Sequence, residues 1–257
     1  MSDGVVRPTA EEVGVKSVFT ALDLLDCFTD AEELGVSDVA RRLGVAKSTA
    51  HRLLTTLCAR GITEKNLETG RYRLGLHLYE LGQMAIDRVK LRREAFPLLE
   101  ELRERTGHSI HLSVPDSADA MYLERLLTLR GIRFLGTVGR RLPSHATSGG
   151  KVFAAFDPAL AEARLSAGFP PITPYTIRAP GEYERNIDEV RARGYATSFD
   201  EFTLGISSVA APIFGTDGAV RGAVSILDTT DRMRLSSQRT ARLVLQAGNV
   251  LSRLPGL

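Results

Sequence analysis

Between positions 47 and 52 the chain reads Lys47-Ser48-Thr49-Ala50-His51-Arg52. Lys and Arg donate to phosphate oxygens or to the O6 and N7 edge of guanine, and Ser and Thr can serve either. The three leucines that follow, Leu53, Leu54 and Leu57, have the spacing of a helix with one buried face. A helix that buries its leucines and presents Lys47, Ser48, Thr49, His51 and Arg52 in its first turns can enter a DNA major groove. Further basic residues follow at Lys65, Arg71 and Arg73. From 38 to 80 there are eight basic and four acidic side chains, a local excess of four in a chain whose net charge is only +2. The local excess is the electrostatic footprint expected of a nucleic-acid surface. The blander alternative is a small helical domain with a solvated face.

A second cluster, Thr147-Ser148-Gly149-Gly150, stands ahead of a predicted helix. Free backbone N–H groups and hydroxyls at a helix start attract carboxylates, and glycine lets a ligand approach the backbone. Ser207, Ser208 and Ser225 are hydroxyls inside otherwise apolar predicted strands, where each could donate into a pocket. Plain helix capping by Thr147 or Ser148, and small-residue packing at Ser208 and Ser225, are the competing explanations.

The elements that must position these groups are legible in outline. Apolar periodicity predicts a first helix from about 17 to 28 and a third from 47 to about 60. Ser37 is read as the N-cap of a short second helix ending at Gly44, and is counted among the DNA-facing residues. Two short strands about a turn over 65–70 complete the order helix, helix, tight turn, helix, hairpin. Residues 75–106 are predicted helical, with a break near Pro97. Beyond them come strands at 109–114, 120–125, 132–138, 195–198, 206–214 and 219–227. Helices are predicted at 149–157, 158–167, 182–193 and 236–253. Gly215-Thr216-Asp217-Gly218 marks a hairpin turn. The expected organisation is a disordered arm (1–15), a winged helix-turn-helix (16–75), a linker helix (76–92) and an α+β sensor domain (93–257).

Other functions find little support. His108, His111 and His145 lie near Ser109, Ser144, Asp116 and Asp119, but no Gly-x-Ser-x-Gly elbow is present, so a hydrolase is the weakest alternative. A phosphate loop is missing its first glycine. Cys27 and Cys58 fit neither a metal-ligand spacing nor a disulfide framework, which favours a reducing, cytoplasmic compartment. No leader peptide, membrane span, metal site or cofactor is expected. A small-molecule sensor that does not act on DNA would leave the basic third helix unexplained.

The stretch from Val36 to Leu54 resembles the helix-turn-helix of the IclR family of bacterial transcription regulators, as does Gly70-Arg71-Tyr72-Arg73-Leu74-Gly75. His145-Ala146-Thr147-Ser148-Gly149-Gly150-Lys151, Arg193-Gly194-Tyr195-Ala196 and the segment from Gly205 to Pro212 resemble three later family segments, in the family's order. The resemblance implies a GAF-like mixed α/β effector domain, a homodimer or homotetramer, and binding to a double-stranded promoter operator. It also implies an effector pocket at Gly149, Gly150, Asp200, Ser208 and Ser225. Some family members carry a second serine where this chain has Leu227. That departure points to an organic acid larger than the smallest polar ones, or a partly aromatic one.

Overall fold

The computed structural model describes residues 14–128 and 141–256. The chain separates into two units, Met1–Arg88 and Val89–Leu257. Most of the expected arm and the strand expected at 132–138 lie outside the described residues.

The first unit is a winged helix-turn-helix. Helices α1 (Lys16–Asp26), α2 (Val36–Leu43) and α3 (Lys47–Ala59) are followed by strands β1 (Thr63–Lys65) and β2 (Tyr72–Leu74). The strands form an antiparallel wing in which Glu64 faces Arg73. Leu24, Phe28, Leu34, Val39, Ala40, Ala50, Leu54 and Tyr72 make the core. Leu24 and Leu54 are fully buried, worth roughly 1.5–3 kcal/mol each. Gly44 ends α2 at φ 65°, the left-handed conformation that makes the turn into α3 tight. The expected cap at Ser37 is corrected. The N-cap is Gly35, and Ser37 is an exposed residue of the first turn. The Asp38 carboxylate, one position further on, reaches back to accept the Gly35 N–H at 3.2 Å. A hydroxyl already inside the turn has no such geometry.

Helix α4 (Leu76–Ile86) follows the wing and buries none of its residues within its own unit. The second unit begins with α5 (Lys90–Thr106). The expected continuous helix to 92 therefore ends at Ile86, and the break falls before α5 rather than near Pro97. Pro97 is tolerated inside α5 because Leu91, Ala95, Leu99 and Leu102 on the same helix are buried against the sheet.

Among the described residues six strands then form one antiparallel sheet: β3 (Ser109–Asp116), β4 (Asp119–Leu126), β5 (Arg141–Pro143), β6 (Ala196–Phe199), β7 (Ile206–Phe214) and β8 (Val220–Thr229). Their spatial order is β5-β4-β3-β8-β7-β6. Between β5 and β6 run a 3-10 turn at Ser144–Ala146, α6 (Ser148–Phe156), α7 (Pro158–Ala167) and α8 (Pro180–Arg193). The last helix, α9 (Thr230–Leu251), starts six residues before its apolar repeat announces it, because Met233 is already buried in its first turn.

Alternation along the strands divides the sheet into two faces. Ile110, Leu112, Val209, Ala211, Ile213, Val224 and Ile226 pack beneath α5 and α9. The opposite face meets α6 and α8 through Ala120, Ala210 and Ala223, and it also carries His111, Ser113, Ser208 and Ser225. The fold is α+β, with side chains of one face greasy and those of the other small and polar.

Candidate nucleic-acid interface and effector cavity

On α3, Ala50 and Leu54 are buried while Lys47, Ser48, His51 and Arg52 are exposed and Thr49 is half-buried. The first two turns thus present the expected set as one polar surface. Among the described residues neither Lys47 nor Arg52 has an ion-pair partner. The rest of the basic cluster is partly spoken for. Arg41 pairs with Asp38 at 3.0 Å, Arg42 with Asp30 at 2.5 Å, Arg71 with Asp38 at 2.8 Å and Arg73 with Glu64 at 3.1 Å. Hydrogen bonding by Arg42 holds the Asp30 carboxyl below its usual range, and the Gly35 N–H does the same for Asp38. Lys65 lies 5.8 Å from the Tyr72 ring centroid. Unpaired positive charge is therefore concentrated on α3 and the first wing strand. Arg71 and Arg73, expected as DNA contacts, reach DNA only by leaving their carboxylates.

The polar face of the sheet encloses a cavity. It is lined by Thr147, Ser148 and Gly149 from the start of α6, by Ser208, Ser225 and Leu227 from β7 and β8, and by Ser113, Tyr122, Ser198, Phe202, Thr203 and Ser207. Its volume is about 30 Å³, the room of one or two ordered waters. Thr147 caps α6 by accepting the Gly150 N–H at 3.3 Å. The Ser148 and Ser208 hydroxyls share a 2.7 Å hydrogen bond, which ties the start of α6 to β7. A Cβ at Gly149 would stand 2.7 Å from Ser113 Oγ, so the glycine keeps this end of α6 close to the sheet.

Two expected pocket residues do other work. Gly150 does not line the cavity. A Cβ there would fall 2.2 Å from Ser144 Cα, so it serves the packing of α6 on the preceding turn. Asp200 also lies outside the lining, at φ 59°. Its Oδ1 accepts the Gly205 N–H at 2.7 Å and the Thr230 hydroxyl at 2.6 Å, closing the 200–205 loop over Phe202 and Thr203. The neighbouring Glu201 binds the buried Lys151 ammonium with both oxygens at 2.6 Å. Burial pulls the Lys151 pKa down and pushes that of Glu201 up, and each is held back by the other's charge.

Sequence reasoning missed Ser113, Tyr122, Ser198, Phe202 and Thr203. Ser113 alone carried a usable signal, a hydroxyl alternating with Leu112 and Val114 on a predicted strand. Ser198 donates to the Ala146 carbonyl at 2.9 Å and faces Ser208 across the β6–β7 pair, a register no local pattern announces.

A winged helix-turn-helix joined to a sheet domain with a buried, hydroxyl-lined cavity defines a ligand-responsive, DNA-binding transcription regulator. The comparisons agree. The model for "Bacterial transcriptional regulator IclR C-terminal" matches residues 83–253, and that for the "IclR helix-turn-helix domain" matches residues 17–67. The chain belongs to the IclR family. It is 35% identical to the HTH-type transcriptional regulator XynR of Escherichia coli, over 94% of this chain and 98% of that one. A putative IclR transcriptional regulator from Silicibacter superposes with a TM-score of 0.80 at 32% identity, covering 94% of this chain and 97% of the other. An IclR homologue from Microbacterium hydrocarbonoxydans, solved in complex with 4-hydroxybenzoate, superposes with a TM-score of 0.78 at 28% identity, covering 92% and 97%. Relatives of this family are named as regulators, and the chain is read as a regulator rather than an enzyme. No helix of the described residues is long and apolar enough to cross a membrane.

Proposed function

We propose that this regulator acts in the cytoplasm as a homodimer, inserts α3 of each protomer into the major groove of a promoter operator, and senses a small organic acid in the cavity beneath α6. The observation that carries the DNA half is the partition of α3, with Ala50 and Leu54 buried and unpaired Lys47 and Arg52 exposed beside Ser48, Thr49 and His51. Ser37 at the start of α2 and Lys65 on the wing extend this surface, and phosphate oxygens can displace the exposed carboxylates now holding Arg71 and Arg73.

A second copy of the chain explains the apolar surface the first unit leaves exposed. Val15, Val18 and Leu22 are exposed in and next to α1, and Leu76, Tyr79, Leu81 and Met84 on α4. Two-fold pairing through such faces presents two recognition helices to two half-sites about one helical turn apart.

Thr147, Ser148, Gly149, Ser208 and Ser225 are assigned to the effector. Hydroxyls and the N-terminal amides of α6 suit a carboxylate without any charged side chain. A ligand of ring size needs far more than the present volume, so Tyr122, Phe202 and Leu227 must separate to admit it. That opening is the conformational change through which binding alters operator affinity, with coupling of ~1–3 kcal/mol expected.

The test is a titration of the purified protein against the promoter region beside its own gene and against random DNA, at several salt concentrations. Selective binding that weakens with salt supports the reading, and equal, weak binding to both DNAs rejects it. Ser225→Leu fills the cavity and should abolish the response to ligand while leaving operator affinity intact.

A further inference from the structure

Among the described residues, one nitrogen of a buried imidazole on the cavity face has no partner. His111 is fully buried, and its Nδ1 makes no hydrogen bond. Its Nε2 accepts from Arg125 Nε at 3.4 Å. Burial, reinforced by the Arg125 charge, holds the imidazole pKa well below its ordinary value, so the ring is neutral at pH 7. A neutral imidazole with Nε2 accepting carries its proton on Nδ1. The result is a buried N–H donor with no acceptor among the described residues, a group that is costly to leave unanswered.

The place of this donor is fixed by the sheet. His111 lies directly opposite Ser225 in the β3–β8 pair. The Tyr122 ring meets the imidazole edge-on with centroids 4.5 Å apart. Two residues along the same face of β3 is Ser113, the residue under Gly149. Ser225, Tyr122 and Ser113 all line the cavity. His111 therefore stands behind the wall, two strand residues, about 7 Å, from the start of α6.

We propose that His111 is a specificity-determining residue of the effector site, donating from Nδ1 to a second oxygen of an acid whose carboxylate sits at the N-terminus of α6. This rests on the effector-cavity reading above and deepens it. The effector class is a carboxylic acid bearing an acceptor oxygen at its far end, on the order of 7 Å away. Separation of Tyr122 from Ser225, which admission of such a ligand requires, uncovers the imidazole.

The experiment uses the full-length protein and three probes, benzoate, 4-hydroxybenzoate and terephthalate, titrated by calorimetry. The wild type should bind one or both of the oxygen-bearing acids about tenfold more tightly than benzoate. His111→Phe should erase that preference while leaving benzoate affinity unchanged. His111→Asn, whose amide N–H can take the place of Nδ1–H, should restore part of it. Nitrogen NMR of the wild-type imidazole should report an Nδ1–H tautomer whose proton shifts with the preferred acid and not with benzoate. A preference that survives in His111→Phe, an Nε2–H tautomer, or failure of all three acids to bind the wild type overturns the proposal. Loss of all binding in Ser225→Leu with an unaltered pattern in His111→Phe keeps the cavity and removes only His111.

Discussion

The recognition helix and the cavity both face anions, and they are built in opposite ways. On α3 the groups are long, exposed and charged, with Lys47 and Arg52 unpaired in water. Among the described residues of the cavity lining there is no charged side chain; six serines and threonines of the sheet and loops join the start of α6. The difference follows from the targets. A duplex presents a dense row of phosphates, and a protein gains by releasing the counterions condensed on it, which takes mobile charge and little geometry. A small acid presents one carboxylate, and fixed dipoles in a dry site hold it without the penalty of burying a full countercharge.

The largest expected effect tests that contrast directly. Raising salt from about 50 to 200 mM should weaken operator binding on the order of 10³-fold if six or more phosphates are neutralised per dimer. Ligand affinity, measured by calorimetry over the same range, should hardly move. Equal salt sensitivity at both sites would show that the acid is held by solvent-exposed charge and would break the comparison.

Lysine makes the next contrast. Lys47 is exposed, whereas Lys151 is 1% exposed and spans from α6 to Glu201 and the Thr197 carbonyl. Glu201→Gln leaves the Lys151 charge buried without its partner. The expected cost is about 3–5 kcal/mol of stability by chemical denaturation. Lys151→Met combined with Glu201→Leu should recover much of it, because replacing a whole buried pair by apolar groups is far milder than breaking it. Lys47→Met should leave stability unchanged and weaken DNA binding. A Glu201→Gln protein as stable as the wild type would mean that Lys151 releases its proton easily, so that the pair contributes little to holding α6.

The same contrast decides what could be read from the chain before folding. The DNA surface is local. Its polar groups, its leucine stripe and the glycine that turns α2 into α3 lie within twenty consecutive residues, so helical periodicity sufficed. Even there, the ion pairs of Arg71 with Asp38 and Arg73 with Glu64 join different elements and stayed hidden. The cavity is assembled from six separated segments. Gly149 and the serines of α6, β7 and β8 were legible in the sequence, but Tyr122 and Ser198 enter only through the strand order β4-β3-β8-β7-β6. Asp200 and Glu201 show the limit most clearly. Adjacent in sequence and equal in charge, they part because Asp200 turns left-handed at φ 59° and sends its carboxylate to Gly205 and Thr230, while Glu201 points to Lys151. Backbone conformation at one residue separates a loop clasp from an ion pair.

Arg52→Ala is the sharper probe of the DNA side. The expected loss is roughly 1–3 kcal/mol on the operator if the guanidinium reads a base edge, with little change on random DNA. An equal loss on both DNAs, visible in titrations against operator and random DNA, would assign Arg52 to a phosphate and leave base reading to Ser48, Thr49 and His51.

The smallest effect concerns the geometry that replaces charge in the cavity. At Gly149 an added Cβ would meet Ser113 Oγ at 2.7 Å, the far end of a side chain that can turn away. Gly149→Ala should therefore cost only about 1 kcal/mol of stability, yet it sets a methyl group beside the α6 amides and turns the Ser113 hydroxyl away, and should lower ligand affinity several-fold, with operator binding in the absence of ligand unchanged. Ser113→Ala in the same chain removes the atom that clashes and should return part of the affinity. If Gly149→Ala bound the acid as the wild type does, the start of α6 would not be where the carboxylate sits, and the hydroxyls of β7 and β8 would have to hold it alone.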